Sequence, residues 1–268
     1  MMKRVNGAAP IQKQGKRILP GILCAAVLLC ALSAVYITQT RTAEVVARKR
    51  ELPVYSVERT DGKIAISFDA AWGGDKTLKI LDTLDEFNVK TTFFLVDIWT
   101  QKYPELVKEI VARGHEIGNH SATHPQMSKL SETQIAKELQ IMSDRVEEIA
   151  GVRPTLFRPP YGDYNNQVVL TARANGYEVI QWSVDSLDWK NKGADDLIRR
   201  ATKQVSSGDI ILFHNDSQYI AETLPAVLKS YQEQGFTVVP VSELLLRGET
   251  TLDVQGKQHA APAKIPEV

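Results

Sequence analysis

The chain has 268 residues, and its 32 Lys and Arg residues balance 32 Asp and Glu residues, so the formal charge at pH 7 is zero. This length suffices for one α/β domain of barrel size together with a membrane segment and short tails. A chain without a basic excess is not expected to bind nucleic acid, and an uncharged or mixed-charge polymer suits it better than a polyanion.

The first predicted element is a membrane helix near the N-terminus. The run from Ile18 to Ile37 has twenty residues and no charge. At about 1.5 Å per helical residue, such a run spans a hydrocarbon core of roughly 30 Å. We therefore predict a transmembrane anchor over residues 18–38, preceded by a cytoplasmic N-terminus over residues 1–17. A cleaved signal peptide is the alternative, but the run exceeds a usual signal core and no clean small-residue cleavage site follows it.

The charges around this segment leave its orientation open. Basic residues lie before it, from Lys3 to Arg17, and after it, from Arg41 to Arg50, which weakens the usual excess on the cytoplasmic side. Residues 39–61 are polar and charged with little periodicity. They are predicted to form a stalk between the membrane and the next domain.

Strand and helix patterns alternate through residues 62–247, which are predicted to form one domain. Apolar and β-branched runs predict strands at residues 63–69, 91–96, 115–119, 155–158, 178–184, 209–214 and 236–239. Helical periodicity lies between them, and Ser131 with Gln134 has the form of a capping box for a helix to Ala150. Residues 248–268 lack apolar periodicity and are predicted to be a disordered tail.

This alternation predicts an α/β fold with parallel strands, because each helix is the crossover that parallel strands require. An open doubly wound sheet and a barrel both satisfy the alternation. The polar residues at strand ends favour the barrel. Asp69, His120, Arg158, Asp185 and His214 end or follow separate strands, as catalytic groups do at the rim of a barrel.

Five motif blocks follow one another along this domain. They are Ser67-Phe68-Asp69-Ala70-Ala71-Trp72-Gly73, His120-Ser121-Ala122-Thr123-His124, Arg158-Pro159-Pro160-Tyr161, Asp185-Ser186-Leu187-Asp188-Trp189 and Ile210-Ile211-Leu212-Phe213-His214. Two imidazoles four residues apart are a weak signal alone. As an ordered set, the blocks resemble the polysaccharide deacetylases of carbohydrate esterase family 4, the NodB-homology domain, over residues 62–247. The Phe-Asp-x-x-Trp-Gly form of the first block resembles the sporulation-associated branch of that family.

The resemblance implies an irregular (β/α)7 barrel and a hydrolase. The expected reaction removes N-acetyl groups from the amino sugars of cell-wall peptidoglycan, in sporulation or wall remodelling. Because wall polymers lie outside the membrane, the domain is expected to be extracytoplasmic, on a single-pass anchor in the cell membrane. Chitin or a chitooligosaccharide is the alternative substrate. Outside the enzyme class, a glycan-binding protein with weakened activity is the alternative function.

The resemblance also implies roles in proton transfer. Asp69 corresponds to the general base that takes a proton from water, and His214 to the general acid that protonates the leaving nitrogen. Arg158 is expected to hold Asp69. Asp185 is expected to pair with His214 and to keep it protonated near neutral pH.

Contacts with the substrate follow from the same resemblance. The backbone N–H of Tyr161 is the expected oxyanion donor, and the stiff Pro159-Pro160 pair positions it. Trp189 and Leu212 are expected to wall the pocket that receives the acetyl methyl group, and Pro160 is grouped with them as a substrate-binding residue.

A divalent cation, with zinc as the expected ion, is implied at His120 and His124. Their neutral imidazoles would leave positions open for water and the acetyl oxygen. The chain departs from the family at Ala70, where the second, metal-binding aspartate is usual, and the loss of an anionic ligand is expected to weaken divalent binding. Three interpretations remain open: water or Asp75 completes the shell, Asp69 itself is a ligand, or the domain binds glycan without turnover.

Overall fold

The computed structural model describes residues 27–36 and 50–262. The chain divides into two units, residues 1–50 and residues 51–268. In the first unit, residues 27–36 form helix α1. Within the described ranges, no helix combines the length and the apolar character needed to cross a membrane. The anchor predicted over residues 18–38 lies partly outside the described residues, as does the whole of 1–17, and both stay predictions.

Short strands, most of them paired in parallel, build the second unit. The strands are β1 (Ser56–Val57), β2 (Lys63–Ala70), β3 (Thr92–Leu95), β4 (Glu116–Asn119), β5 (Leu156–Phe157), β6 (Glu178–Val179), β7 (Val184–Asp185), β8 (Ile210–His214), β9 (Thr237–Val238), β10 (Thr250–Leu252) and β11 (Lys257–Ala260). Each strand predicted from the sequence is present, but the run predicted over 178–184 divides into β6 and β7. These two lie at opposite ends of the main sheet.

The helices of this unit lie between the strands, as parallel pairing requires. They are α2 (Thr77–Glu86), α3 (Asp97–Lys102), α4 (Pro104–Ala112), α5 (Glu132–Ala150), α6 (Asn166–Ala174), α7 (Ala194–Thr202), α8 (Ile220–Glu233) and α9 (Val241–Leu244). The capping box predicted for α5 is confirmed. Ser131 N–H donates to Gln134 Oε1 at 2.9 Å and Gln134 N–H donates to Ser131 Oγ at 3.3 Å. The helix ends at Gly151, whose φ of 69° suits a residue without Cβ.

The main sheet has the order β6-β5-β4-β3-β2-β8-β7, and β9 joins the start of β2. It curls into a half-barrel with helices around it, so the predicted irregular (β/α)7 fold is confirmed. Within the described residues, no ladder of hydrogen bonds joins β6 to β7. The central strand is β2, which pairs with β3 on one side and with β8 on the other.

Alternation along β2 separates two faces. Ile66, Phe68 and Ala70 belong to the large apolar cluster that the sheet shares with α2, α4 and α8. Ala65 belongs to a second cluster on the inner face. Since neighbouring residues of a strand face opposite sides, the inner face also receives Asp69. This register directs the carboxylate toward the mouth of the half-barrel.

The stalk predicted over 39–61 and the tail predicted over 248–268 need correction where they are described. Strands β1, β11 and β10 form a second sheet, in which β1 pairs with β11 in parallel and β10 pairs with β11 antiparallel. Residues 51–61 and 248–262 therefore belong to the folded unit. The prediction was wrong because two- to four-residue polar strands have no periodicity to detect, and their partners lie about two hundred residues apart along the chain. Residues 39–49 and 263–268 lie outside the described residues.

Candidate active site

The carboxyl ends of the parallel strands surround a cavity of about 650 Å³. Its lining contains most of the predicted site residues, together with side chains that the motifs did not single out. The lining residues are Asp69, Ala71, Trp72, His120, His124, Tyr161, Trp182, Asp185, Trp189, Asn191, Leu212, His214, Asn215, Asp216 and Ser217. Pro160 is buried and is not among the described residues that line the cavity, and its predicted contact with substrate stays a prediction.

Asp69 and Arg158 form a buried ion pair behind this cavity. Arg158 is fully buried, and its Nη1 donates to Asp69 Oδ1 at 2.8 Å while Nη2 donates to Gln181 O at 3.1 Å. The guanidinium lies over the ring of Phe94, 4.1 Å from its centroid. Burial alone would raise the pKa of Asp69, but the charge of Arg158, together with its hydrogen bond and the charge of His214, lowers that pKa below the ordinary value. Asp69 is therefore an ionised carboxylate at neutral pH.

The imidazole of His120 is fixed between Arg158 and Asp69. Its Nδ1–H donates to the carbonyl oxygen of Arg158 at 2.6 Å, and its Nε2 lies 3.4 Å from Asp69 Oδ2. The ring of His124 follows at 5.1 Å between centroids. Burial lowers the pKa of His120, and burial is also the main cause that lowers the pKa of His124 to about 4. Both imidazoles are therefore neutral near pH 7.

Two observations fit a divalent cation here and one does not. Donation from Nδ1 leaves the lone pair of His120 on Nε2, and neutral imidazoles suit coordination. Against this, residues 27–36 and 50–262 contain no group of three or more His, Cys, Asp or Glu side chains arranged to hold a metal ion. Asp75, the predicted substitute ligand, is exposed and does not line the cavity. The side chains therefore fall short of a three-ligand zinc site, and the zinc centre stays a prediction.

Ala70 and Ala71 differ in where their side chains lie. Ala70 is fully buried in the apolar cluster between the sheet and the helices. Ala71 is partly buried and lines the cavity. An aspartate at position 70 would therefore enter the apolar cluster, whereas one at position 71 would reach the cavity that contains His120 and His124.

The loop that carries both histidines has an unusual backbone. Ser121 and His124 have φ of 73° and 58°. Residues other than glycine seldom adopt this left-handed region. Ser121 N–H donates to Asn119 Oδ1 at 2.8 Å, and His124 N–H donates to Ser121 Oγ at 3.0 Å. These local hydrogen bonds stabilise the left-handed residues and so set the direction of the imidazoles.

Glu138 on α5 supports this loop from behind, and the motifs gave no sign of it. Its Oε2 accepts from the N–H groups of Ala122 and Thr123 at 2.9 and 2.8 Å, and its Oε1 accepts from Thr123 Oγ1 at 2.9 Å. A carboxylate with three donors is a strong anchor, because hydrogen bonds to charged groups exceed neutral ones. No local pattern identifies Glu138, since it faces the loop only after α5 packs beside β4.

The predicted pairing of Asp185 with His214 is wrong, because Asp188 takes that position. His214 Nδ1–H donates to Asp188 Oδ1 at 2.8 Å, and the His214 backbone N–H donates to Asp188 Oδ2 at 2.8 Å. Asp185 instead accepts from Leu187 N–H at 2.8 Å. The turn Asp188–Lys190 places the buried Asp188 beside the end of β8. Asp188, the second aspartate of the Asp-x-x-Asp-Trp block, therefore contacts the imidazole of His214.

Burial alone would lower the pKa of His214. The hydrogen bond and charge of Asp188, with the charges of Asp69 and Asp185, raise it above the ordinary value. The raised pKa favours the protonated form of His214, and the proton that this form can donate is on Nε2 because Nδ1–H is held by Asp188. The cavity thus contains a buried carboxylate that can accept a proton and an imidazole that can donate one.

Tyr161 occupies a tight turn at the cavity rim. The turn covers Pro160–Gly162, and Tyr161 has φ of 59° within it. Gly162 and Asp163 N–H groups close the turn on the carbonyls of Pro159 and Pro160 at 3.1 and 3.0 Å. Within the described residues, the N–H of Tyr161 donates no hydrogen bond, so it remains available to a ligand oxygen.

Comparison with known proteins shows which family the domain resembles. The polysaccharide deacetylase family model matches residues 56–180. The uncharacterized protein YlxY of Bacillus subtilis is 33% identical over 193 residues, which cover 72% of this chain and 60% of that protein. A peptidoglycan-N-acetylglucosamine deacetylase of Bacillus cereus is 35% identical over 196 residues, which cover 71% of this chain and 92% of that protein. The chain therefore spans less than two thirds of YlxY but nearly all of the Bacillus cereus relative.

Solved structures resemble the domain as well. A CE4 family pseudoenzyme from Bacillus anthracis has a TM-score of 0.70 and 32% identity, over 72% of this chain and 68% of that one. A mutant of that pseudoenzyme with restored enzymatic activity also has a TM-score of 0.70, with 33% identity over 72% of this chain and 71% of that one. Active and inactive relatives share this fold, so the fold alone does not decide turnover.

Proposed function

Because the chain belongs to the polysaccharide deacetylase family, we propose that it is a hydrolase that removes N-acetyl groups from the amino sugars of peptidoglycan. One observation carries this proposal. Asp69, held by Arg158, and His214, held by Asp188, line the same cavity, and their surroundings lower the pKa of the carboxyl group and raise that of the imidazole. Such a pair is what amide hydrolysis needs, since one group must take a proton and another must donate one. The name of the Bacillus cereus relative supports peptidoglycan as the substrate.

The reaction follows from these groups. Asp69 takes a proton from a water molecule as that water attacks the carbonyl carbon of the acetyl group. The N–H of Tyr161 donates to the oxyanion that develops. His214 Nε2–H protonates the sugar nitrogen as the C–N bond breaks, which leaves acetate and a free amine. Leu212 is nearly fully buried at the cavity wall, and an apolar wall there accepts the acetyl methyl group and excludes bulk water.

A glycan-binding protein with weakened activity is the second candidate. It is favoured by Ala70, which supplies no ligand, and by the similarity to the Bacillus anthracis pseudoenzyme. Chitin or a chitooligosaccharide is the second candidate substrate, because the reactive groups contact only the acetamide that all these polymers share.

Acetate release distinguishes the candidates. The full chain should release acetate from peptidoglycan, and Asp69→Asn and His214→Ala should each lower turnover by about 10²-fold or more. Asp195→Asn and His259→Ala are matched controls, since Asp195 is exposed on α7 and His259 lies in β11. If acetate is released from chitooligosaccharides but not from peptidoglycan, the substrate is chitin or a chitooligosaccharide. Binding of peptidoglycan without acetate release would favour the glycan-binding candidate.

The cellular setting is also a proposal. A domain outside the membrane would meet peptidoglycan directly, and the charge-free run from Ile18 to Ile37 supports an anchor. A role in sporulation or wall remodelling is supported by the resemblance of the first motif block. Protease added to intact protoplasts should remove the domain, and a protected domain or a soluble protein beginning after Ile37 would contradict the anchor.

A further inference from the structure

Three aromatic side chains are exposed around the cavity. Within residues 50–262, the exposed large apolar side chains include three aromatic ones, Trp72, Tyr161 and Trp189, with 61%, 66% and 55% of their surface exposed. All three line the same cavity. Aromatic rings contribute strongly to binding surfaces, and their concentration at one opening is typical of a ligand site.

The backbone beside Trp72 is anchored although its ring is exposed. The carbonyl oxygen of Gly73 accepts from Trp99 Nε1 at 2.6 Å and from Asn215 Nδ2 at 2.9 Å. Gly73 has φ of 48°, and a Cβ at this position would collide with the carboxylate of Asp216. The loop is therefore fixed, and it presents the Trp72 side chain at the cavity rim.

The aromatic residues belong to different segments of the cavity lining. The ring centroid of His124 is 4.4 Å from that of Tyr161 and 6.0 Å from that of Trp72, so these three rings form one wall. Trp189 lies in the turn that supplies the partner of His214. Trp72 and Tyr161 therefore belong to one group of rings around His124, whereas Trp189 belongs to the segment that holds the general acid.

Charge indicates the ligand that this wall accepts. Among the described residues, the cavity lining contains Asp69, Asp185 and Asp216 beside His214 and no Lys or Arg, so it offers no cluster of cations that would select an anionic polymer. A neutral sugar ring fits better. One face of a pyranose presents C–H groups, which the negative face of an aromatic ring attracts, and its hydroxyl groups can meet the polar lining.

We propose that Trp72 and Tyr161 form a stacking subsite for the sugar next to the one whose acetyl group reacts. This subsite rests on the proposed function, because that function places the reacting sugar between Asp69 and His214. An oligosaccharide then contacts both the reactive pocket and the Trp72 wall. A monosaccharide contacts the reactive pocket alone.

The experiment compares the binding of N-acetylglucosamine and its tetramer to the full chain in detergent, by calorimetry. Trp72→Ala should weaken tetramer binding about tenfold, as expected for the loss of one stacked ring, and leave monomer binding unchanged. Trp72→Phe should keep most of the affinity because it keeps an aromatic face, whereas Trp72→Leu should not. Leu170→Ala is the matched control, since Leu170 is an exposed apolar residue on α6 that does not line the cavity.

The outcomes separate this subsite from the proposed hydrolysis. If no glycan releases acetate but the tetramer still binds more tightly than the monomer through Trp72, hydrolysis fails and the subsite stands. If acetate is released, Trp72→Ala should raise KM for the tetramer with little change in kcat. Equal binding of monomer and tetramer, no measurable tetramer binding, or full tetramer affinity in Trp72→Ala or Trp72→Leu would overturn the stacking subsite.

Discussion

The two halves of the cavity are held in different ways. In the proton-transfer half, Asp69 and His214 each have a charged partner, Arg158 and Asp188. In the imidazole half, defined by His120, His124 and the loop between them, the contacts from behind are hydrogen bonds, most of them to the backbone. His124 Nδ1 is buried and has no hydrogen-bond partner in the described part of the chain.

This difference predicts which property a substitution in each half should change. Ion pairs set the protonation states of the base and the acid, so substitutions among them should change stability and pH dependence. Hydrogen bonds to the histidine loop set its geometry, so substitutions there should change ligand affinity with little effect on pH dependence. The two halves should therefore be separable by experiment.

The largest effect is expected from Arg158→Met. Loss of the guanidinium leaves Asp69 buried beside the cavity without its main partner, and the free energy of unfolding should fall by about 3–5 kcal/mol. Chemical denaturation of the full chain measures this. Adding Asp69→Asn to Arg158→Met should recover much of the loss, because neither charge remains. A single variant as stable as the wild type would show that Asp69 does not depend on Arg158.

The two neighbouring alanines test the imidazole half. Ala70→Asp should lower the free energy of unfolding by about 3 kcal/mol or more, because the carboxylate enters an apolar cluster without a partner. Ala71→Asp should stay folded and tighten zinc binding at His120 and His124, since it adds an anionic donor on the cavity side. Thermal melting of both variants measures their stability, and zinc titration measures their affinity for zinc. Tighter zinc binding in a stable Ala70→Asp variant would contradict the orientation seen here.

Asp188→Asn should act on the pH profile. Asp188 raises the pKa of His214, so without its charge the imidazole loses its proton at a lower pH. The alkaline limb of the activity profile should therefore move to lower pH, and turnover near neutral pH should fall about tenfold. Asp185→Asn should give a smaller shift, because Asp185 acts on His214 only through its charge. A larger shift in Asp185→Asn would restore Asp185 as the main partner.

The smallest effect is expected at Glu138. Glu138→Gln keeps an oxygen for the backbone N–H groups but replaces the charged acceptor of the Thr123 hydroxyl by a neutral NH2 that can only donate to it, and the weaker hydrogen bonds of a neutral group should weaken the loop by about 1 kcal/mol. Thr123→Val removes the same hydrogen bond from the other side. The two substitutions together should cost little more than either alone, and ligand affinity should fall in each with an unchanged pH profile. Fully additive losses would mean that Glu138 does not act through Thr123.

Much of the fold could be predicted because its signals are local. Strand β2 and helix α5 show their periods and cap directly in the residue pattern. The ends of parallel strands meet at one edge of a sheet, so the positions of Asp69, His120 and His214 at strand ends were enough to predict that they share a site.

Only the tertiary structure decided which side chains are partners within that site. Both aspartates of the Asp-x-x-Asp-Trp block are equally plausible from the sequence, and the turn after β7 selected Asp188. Glu138 became a support for the histidine loop only when α5 packed against β4, and Ala70 entered the apolar cluster because of the register of β2. The residue pattern determines local conformation and the face of each strand, whereas contacts between distant segments depend on how the crossovers place one element beside another.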